Sequence, residues 1–243
     1  MKLENGERLE DLQCKGLKII QNKNLYTFTS DSVILANFIK TKSKDVGVEI
    51  GAGCGVISIL LQAKNKIKQI YAFELQPEMQ ELCKKNLELN NLTDKIKLIC
   101  DDVKNFERHI AKESVDIVFS NPPYFKPTKF EQSQVKKIAK EETCLPLEIL
   151  VQVASSTLKF GGNFYCCYTA ERVCELICAC QNKNLIVKEL FFTENGKGDV
   201  KLAVIRAVKG GKNGCKVYSN LVTNDKNGDY LEKLQTKNFL YKK

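Results

Sequence analysis

Between Val46 and Val208, short apolar runs alternate with longer stretches of helical periodicity. This alternation restricts the chain to a mainly parallel β-sheet with helices on both faces. Val46 to Ile50 predicts a first strand, followed by a helix over about Val56 to Ala63. Lys68 to Glu74 predicts a second strand, and Pro77 suits the first position of a helix reaching about Asn90. Met79, Leu82, Cys83, Asn86 and Leu87 fall on one face of that helix. Lys95 to Cys100 and Val115 to Ser120 predict two further strands, separated by a helical piece at Val103 to Ile110. A helix over Leu147 to Leu158 is expected to stop at Gly161-Gly162, ahead of a strand from Asn163 to Tyr168. Ala170 to Cys180 predicts a helix. Leu185 to Phe192 and Lys201 to Val208 predict a closing hairpin, so one strand of the sheet runs antiparallel.

Residues 46–209 thus form a Rossmann-like α/β core, and 1–45 and 210–243 fall outside the alternation as accessory segments. At 243 residues the chain can bury a substantial core. No apolar run reaches the roughly 20 residues that a membrane helix needs. Met1 to Arg8 lacks an apolar signal region, so a cytoplasmic protein with no membrane partner is expected. There are 11 cysteines, none in a Cys-x-x-Cys pair, and His109 is the single histidine. That spacing disfavours zinc, and reduced, buried thiols acting as small hydrophobes are the expectation. The net charge of +9 favours a polyanionic partner such as RNA, although a generally lysine-rich composition would give the same sign.

Gly51-x-Gly53-x-Gly55 follows the first strand and opens a helix, the context in which glycines let backbone approach a nucleotide-like ligand. A dinucleotide fingerprint would place its third glycine at Val56, so a nicotinamide oxidoreductase is disfavoured. The shorter spacing suits S-adenosylmethionine, which has no pyrophosphate to cradle. Glu74, ending the second strand, is placed to accept from two ribose hydroxyls. Asp102 is expected at the adenine of that cofactor, with Asp101 capping the next turn. Glu49 is expected to orient the glycine loop or the methionine amine.

Asn121-Pro122-Pro123-Tyr124 comes directly after the strand Val115 to Ser120. A planar amino nitrogen is a poor nucleophile because its lone pair is delocalised. Two hydrogen-bond acceptors favour the pyramidal form, whose lone pair can attack a sulfonium methyl. The Asn121 side-chain oxygen and the Pro122 carbonyl supply the acceptors, and the two proline rings stiffen the loop. Tyr124 or Phe125 offers a stacking face for a base, beside Pro123. Lys126, Lys129, Lys136, Lys137 and Lys140 follow as candidate phosphate contacts, though a solvated helix face explains any one lysine equally well.

With these motifs the chain resembles the class I S-adenosylmethionine-dependent methyltransferases. More narrowly, it is similar to the bacterial family that methylates the exocyclic N6 amino group of adenosine 3′ of the anticodon in a valine tRNA. The narrower resemblance rests also on Glu7 to Leu12, Leu17 to Asn22, Phe28 to Phe38 and Ala207 to Lys212. It implies tRNA processing by a tRNA-binding enzyme whose N-terminal segment folds over the cofactor, with Thr29 and Asp31 near the methionine end. A monomer, or at most a weak dimer, without metal, is implied. Ala139-Lys140-Glu141-Glu142 departs from the Ala-Arg-His-Glu-like stretch of that family. The same Asn-Pro-Pro-aromatic motif serves enzymes acting on guanine, DNA adenine or a glutamine side chain. A non-catalytic cofactor- and RNA-binding module is the alternative of another class.

Overall fold

The computed structural model describes residues 3–65, 67–123 and 145–225. Two antiparallel strands, β1 (Glu7–Asp11) and β2 (Lys18–Asn22), form a separate hairpin, and helix α1 (Ser30–Phe38) follows. The alternating core then runs β3 (Val46–Ile50), α2 (Val56–Asn65), β4 (Gln69–Phe73), α3 (Pro77–Leu89), β5 (Ile96–Ile99), a 3-10 turn (Val103–Arg108) and β6 (Val115–Ser120). It continues with α4 (Leu147–Thr157), β7 (Leu158–Thr169), α5 (Val173–Asn182), β8 (Leu185–Glu194) and β9 (Val200–Lys209). Two short strands, β10 (Lys216–Val217) and β11 (Leu221–Val222), close the described chain.

All strands after the hairpin join one sheet in the order β10-β8-β9-β7-β6-β3-β4-β5, with β11 also on β8. From β5 to β7 neighbouring strands are parallel, while β9 runs antiparallel between β7 and β8. The closing hairpin therefore stands where the sequence places it. The accessory tail also contributes, because β10 and β11 pair parallel to β8 and cover its outer edge.

One apolar cluster lies between the sheet and α1, α2 and α3, and a second lies under the 3-10 turn, α4 and α5. The predicted face of α3 is the buried one: Met79, Leu82, Cys83, Asn86 and Leu87 all point inward. Alternation along β3 sends Val48 and Ile50 to one side of the sheet and Glu49 to the other, where it meets Ser58 of α2.

Gly161-Gly162 does not separate helix from strand. Helix α4 ends at Thr157, and β7 begins at once with Leu158 and runs through both glycines. They form an irregularity instead: pairing to β6 jumps from Val115↔Leu158 to Ile117↔Asn163. Gly161 has φ +78°, and a Cβ on Gly162 would lie 2.9 Å from the Lys159 carbonyl oxygen. Both demands exclude larger residues.

The cysteine expectation holds for half of the ten described thiols. Cys54, Cys83, Cys166, Cys167 and Cys180 are buried, whereas Cys100, Cys174, Cys178 and Cys215 are exposed. Cys174 and Cys178 lie on the solvent side of α5, whose buried residues are Leu176 and Cys180. Among the described residues no helix is long and apolar enough to cross a membrane.

Candidate active site

The strand order reverses between β3 and β6, and a cleft opens at their carboxyl ends, where ligands bind in open α/β sheets. Its walls come from the ends of four strands and the loops after them. Ile50 ends β3, and Gly51 and Gly53 follow it; Phe73 ends β4, and Glu74, Leu75 and Gln76 follow it. Asp101, Asp102 and Val103 follow β5, and Asn121 and Pro123 follow β6. Tyr26, Met79 and Leu145 complete the lining.

Gly51, Gly53 and Gly55 all have positive φ, so the loop's path requires glycine at each. Their surroundings differ. A Cβ on Gly51 would meet nothing within 4 Å, which leaves its backbone open to the cleft. A Cβ on Gly55 would stand 2.9 Å from the Cys83 Sγ, so Gly55 lets the loop pack against α3 and does not line the cleft.

Glu74 is nearly buried and its carboxylate bridges two loops. Its Oε2 accepts from the Gly53 N–H at 2.8 Å and its Oε1 from the Gln76 N–H at 2.9 Å. Burial pushes its pKa up, while the N–H groups of Gln76, Gly53 and Leu75 pull it back. A carboxylate offers about four lone-pair sites, so these two bonds leave acceptor capacity facing the cleft.

Glu49 lies beneath the loop and outside the lining, 1% exposed. One oxygen accepts from the Ser58 hydroxyl, and the other has no hydrogen-bond partner among the described residues. Burial pushes its pKa up to about 8.

At the end of β5 both aspartates line the cleft, and the cap expected of Asp101 is made by Asp102. Asp102 caps the 3-10 turn by accepting from the Lys104 N–H at 2.9 Å. Asp101 accepts from the Asp102 N–H and from Asn105 Nδ2, and its other oxygen meets His109 Nε2 at 2.9 Å. Side-chain bonds from Asn105 and His109 hold Asp101 below the usual carboxylate range. Only the fold brings Asn105 and His109 back over the strand end, through the 3-10 segment Val103–Arg108.

Asn121 leaves β6 beside Ser120, whose hydroxyl donates to the Ile50 carbonyl at 2.7 Å and fixes the two strand ends together. The Asn121 Nδ2 donates to Ser32 Oγ at 3.2 Å. Its Oδ1 is buried and has no hydrogen-bond partner among the described residues. A buried, unfilled acceptor at a cleft wall is a costly arrangement unless a ligand completes it. Pro122 is buried and Pro123 lines the cleft.

Thr29 donates to Asp31 at 2.8 Å, and neither residue is in the lining of the cleft. Thr29 also bonds Tyr26, whose pKa burial and the Asp31 charge push up to about 12. Tyr124, Phe125, Lys126 and Lys129, with Lys136, Lys137, Lys140 and the Ala139–Glu142 departure, lie outside the described residues.

A family model described as the TRM5/TYW2 methyltransferase domain matches residues 33–143. A tRNA1(Val) (adenine(37)-N6)-methyltransferase of a Flavobacteriaceae bacterium is 21% identical over 203 residues, covering 81% of this chain and 83% of its own. One from Porphyromonas gingivalis is 28% identical over 118 residues, 48% of this chain and 46% of its own, so the match spans about half that relative. A protein named as an N5-glutamine methyltransferase in Methanocaldococcus jannaschii is 34% identical over 122 residues, covering 50% of this chain and 58% of its own. The crystal structure of a predicted O-methyltransferase from Agrobacterium tumefaciens superposes with a TM-score of 0.67 at 20% identity, over 84% of this chain and 95% of that one. The Methanocaldococcus jannaschii TYW2 structure in complex with AdoMet gives 0.58 at 16% identity, over 85% and 87%.

The chain has the fold of the class I S-adenosylmethionine-dependent methyltransferases, and a methyltransferase family model matches part of it. The methyltransferase matches imply S-adenosylmethionine as the cofactor, and the cleft has the chemistry to hold it. Apolar side chains of Ile50, Phe73, Leu75, Met79 and Val103 suit a purine and a sulfonium flank, Glu74 suits a diol, and Gly51 leaves room for close backbone approach. Of the residues predicted from sequence, Gly51, Gly53, Glu74, Asp102, Asn121 and Pro123 converge on this one cleft. Thr29, Asp31, Glu49, Gly55 and Pro122 are outside its lining. Sequence reasoning passed over Tyr26, Gln76, Met79 and, as a partner of Asn121, Ser32. Ser32 lies inside the segment already singled out, but no local pattern shows which of its hydroxyls meets residue 121.

Proposed function

We propose that this methyltransferase transfers the methyl group of S-adenosylmethionine to the exocyclic N6 amino group of an adenosine in tRNA, at position 37 of a valine tRNA. The observation that carries the reading is the buried, unfilled Asn121 Oδ1 at the switch-point end of the sheet, followed by two prolines. The named tRNA relatives support the substrate class.

Bound S-adenosylmethionine supplies a sulfonium methyl for in-line displacement, in which the S–CH3 bond breaks as the N–CH3 bond forms and S-adenosylhomocysteine departs. Asn121 Oδ1 accepts one amino N–H and the Pro122 carbonyl the other, directing the nitrogen lone pair at the methyl. The extra proton on the methylated nitrogen passes to water. The base leaves its stack to reach this notch and rests on Tyr124 or Phe125. Glu74 and Asp102 hold the cofactor's ribose and adenine, and Thr29, Asp31 and Glu49 act behind the loop near its methionine end. Lys126 and Lys129 hold phosphates.

The test is transfer of labelled methyl to total tRNA, with mass spectrometry of the digested nucleosides. N6-methyladenosine in a valine tRNA is the expected product. Absence of any methylated tRNA nucleoside, with methylglutamine formed in a protein instead, overturns the reading. That second outcome is the alternative favoured by the 34% identity to the protein named as a glutamine methyltransferase.

A further inference from the structure

We infer that Ser32 is a positioning residue for the transfer step, one that anchors the Asn121 NH2 while the oxygen end faces the substrate. The inference rests on the proposed role of Asn121 and goes beyond it by assigning a partner from a different part of the chain.

An asparagine amide is nearly symmetric in shape and opposite in chemistry at its two ends. Rotation by 180° about its last bond would turn an NH2 toward the substrate amine, donor facing donor, and the notch would repel what it has to hold. The substrate amine, which offers only donors, selects the oxygen end, and the NH2 end then needs an acceptor of its own. The Ser32 Oγ takes the Nδ2 end at 3.2 Å, and the Oδ1 end is then left buried and unfilled. Ser32 is itself 5% exposed and held in the first turn of α1, its N–H bonded to the Thr29 carbonyl at 3.2 Å. The hydroxyl is thus a fixed point. Asn121 is fixed from the other side by Ser120 and its bond to β3.

Ser32 lies 89 residues from Asn121 in sequence, so the N-terminal segment completes the catalytic notch as well as the wall that Tyr26 supplies. Methyl transfer consequently depends on docking of this segment, even where the cofactor pocket is otherwise filled.

The experiment compares Ser32→Ala, Asn121→Ala and the double variant in the full chain, reading kcat on tRNA, cofactor affinity and the side-chain amide resonances of 15N-labelled protein. Ser32→Ala is expected to lower kcat about tenfold, the effect of one neutral hydrogen bond in orienting a reacting group, with cofactor Kd unchanged. In the Asn121→Ala background the same change is expected to add nothing. The Asn121 NH2 resonance, identified by its loss in Asn121→Ala, is expected to move in Ser32→Ala. Ser32→Thr, which keeps the hydroxyl, is expected to hold that resonance near its native position. Independent, multiplicative losses together with an unmoved amide resonance would overturn the inference. A wild-type protein that methylates no tRNA sinks the functional reading alone, because the resonance still judges the Ser32–Asn121 contact without turnover.

Discussion

At position 121 a single amide carries the chemistry, and its surroundings explain how. The strand end is pinned by Ser120 and the amide nitrogen is taken by Ser32, so the one acceptor left over is the one the reaction needs. Asn121→Ala is expected to lower kcat by about 10²- to 10³-fold, the usual loss for one preorganised polar group, with cofactor binding within about threefold of wild type by calorimetry. Turnover close to wild type would refute the role. Glu49 gives a prediction of another kind. Burial raises its pKa from 4.5 to about 8, against the lowering effect of the bonds from Ser58. Below pH 4.5 the folded and unfolded chains both hold this proton. Between 4.5 and about 8 the unfolded chain releases it while the folded chain keeps it, so this group's contribution makes stability fall as pH rises through that window. Glu49→Gln is expected to flatten that part of the profile and to raise Tm at pH 8. A variant whose Tm tracks wild type from pH 5 to 8 would show that Glu49 is not buried in this way.

Among the elements, α3 does more than pack. Asn86 accepts from the Ile20 N–H at 2.6 Å and donates to the carbonyls of Ile20 and Cys54, each at 3.0 Å. One turn on, Asn90 accepts from the Lys18 N–H and donates to the Lys18 carbonyl. Two side-chain amides thereby imitate a neighbouring strand and dock the edge of β2. Through Cys54 they tie that hairpin to the glycine loop. Lys85 adds an ion pair to the exposed Glu4, where such a pair contributes little, and another to Glu7, whose side chain is 4% exposed. Asn86→Ala would strand three buried backbone groups and is expected to cost about 3 kcal/mol in urea denaturation, and to weaken cofactor binding. Asn90→Ala, nearer solvent, is expected to cost less. Equal losses at the two positions would contradict this account of the docking. The helical period of α3 was readable in the chain, and Asn86 fell on its buried face. The partner it serves was not, because a side-chain amide binding distant backbone leaves no periodic trace.

For the molecule as a whole, the +9 charge bears on partners rather than fold. If tRNA phosphates are held by lysines such as Lys126 and Lys129, affinity is expected to fall steeply with salt, with a log–log slope of several. Replacing that pair by alanine should lower the slope by about 1 to 2. A flat dependence would remove the electrostatic part of the reading. The fold class was legible because a parallel sheet covered on both faces imposes near-continuous apolar strands and long crossovers, which alternation along the chain records directly. Gly51, Gly53, Glu74 and Asn121 were legible for a related reason: each ends or follows a strand, and the carboxyl ends of parallel strands share one edge. Where the signal was ambiguous the sequence reading failed, as at Gly161-Gly162, since glycine pairs mark a helix stop and a strand irregularity alike. Residue order alone therefore determined the sheet, its open edge and the type of chemistry gathered there. Tertiary structure decided which aspartate caps and which is held by His109, that the tail extends the sheet beyond β8, and that Ser32 meets Asn121. The last two join segments far apart in the chain, and the aspartate bonds depend on how the 3-10 segment folds back over the end of β5; residue order records neither, because both geometries exist only once the layers have packed.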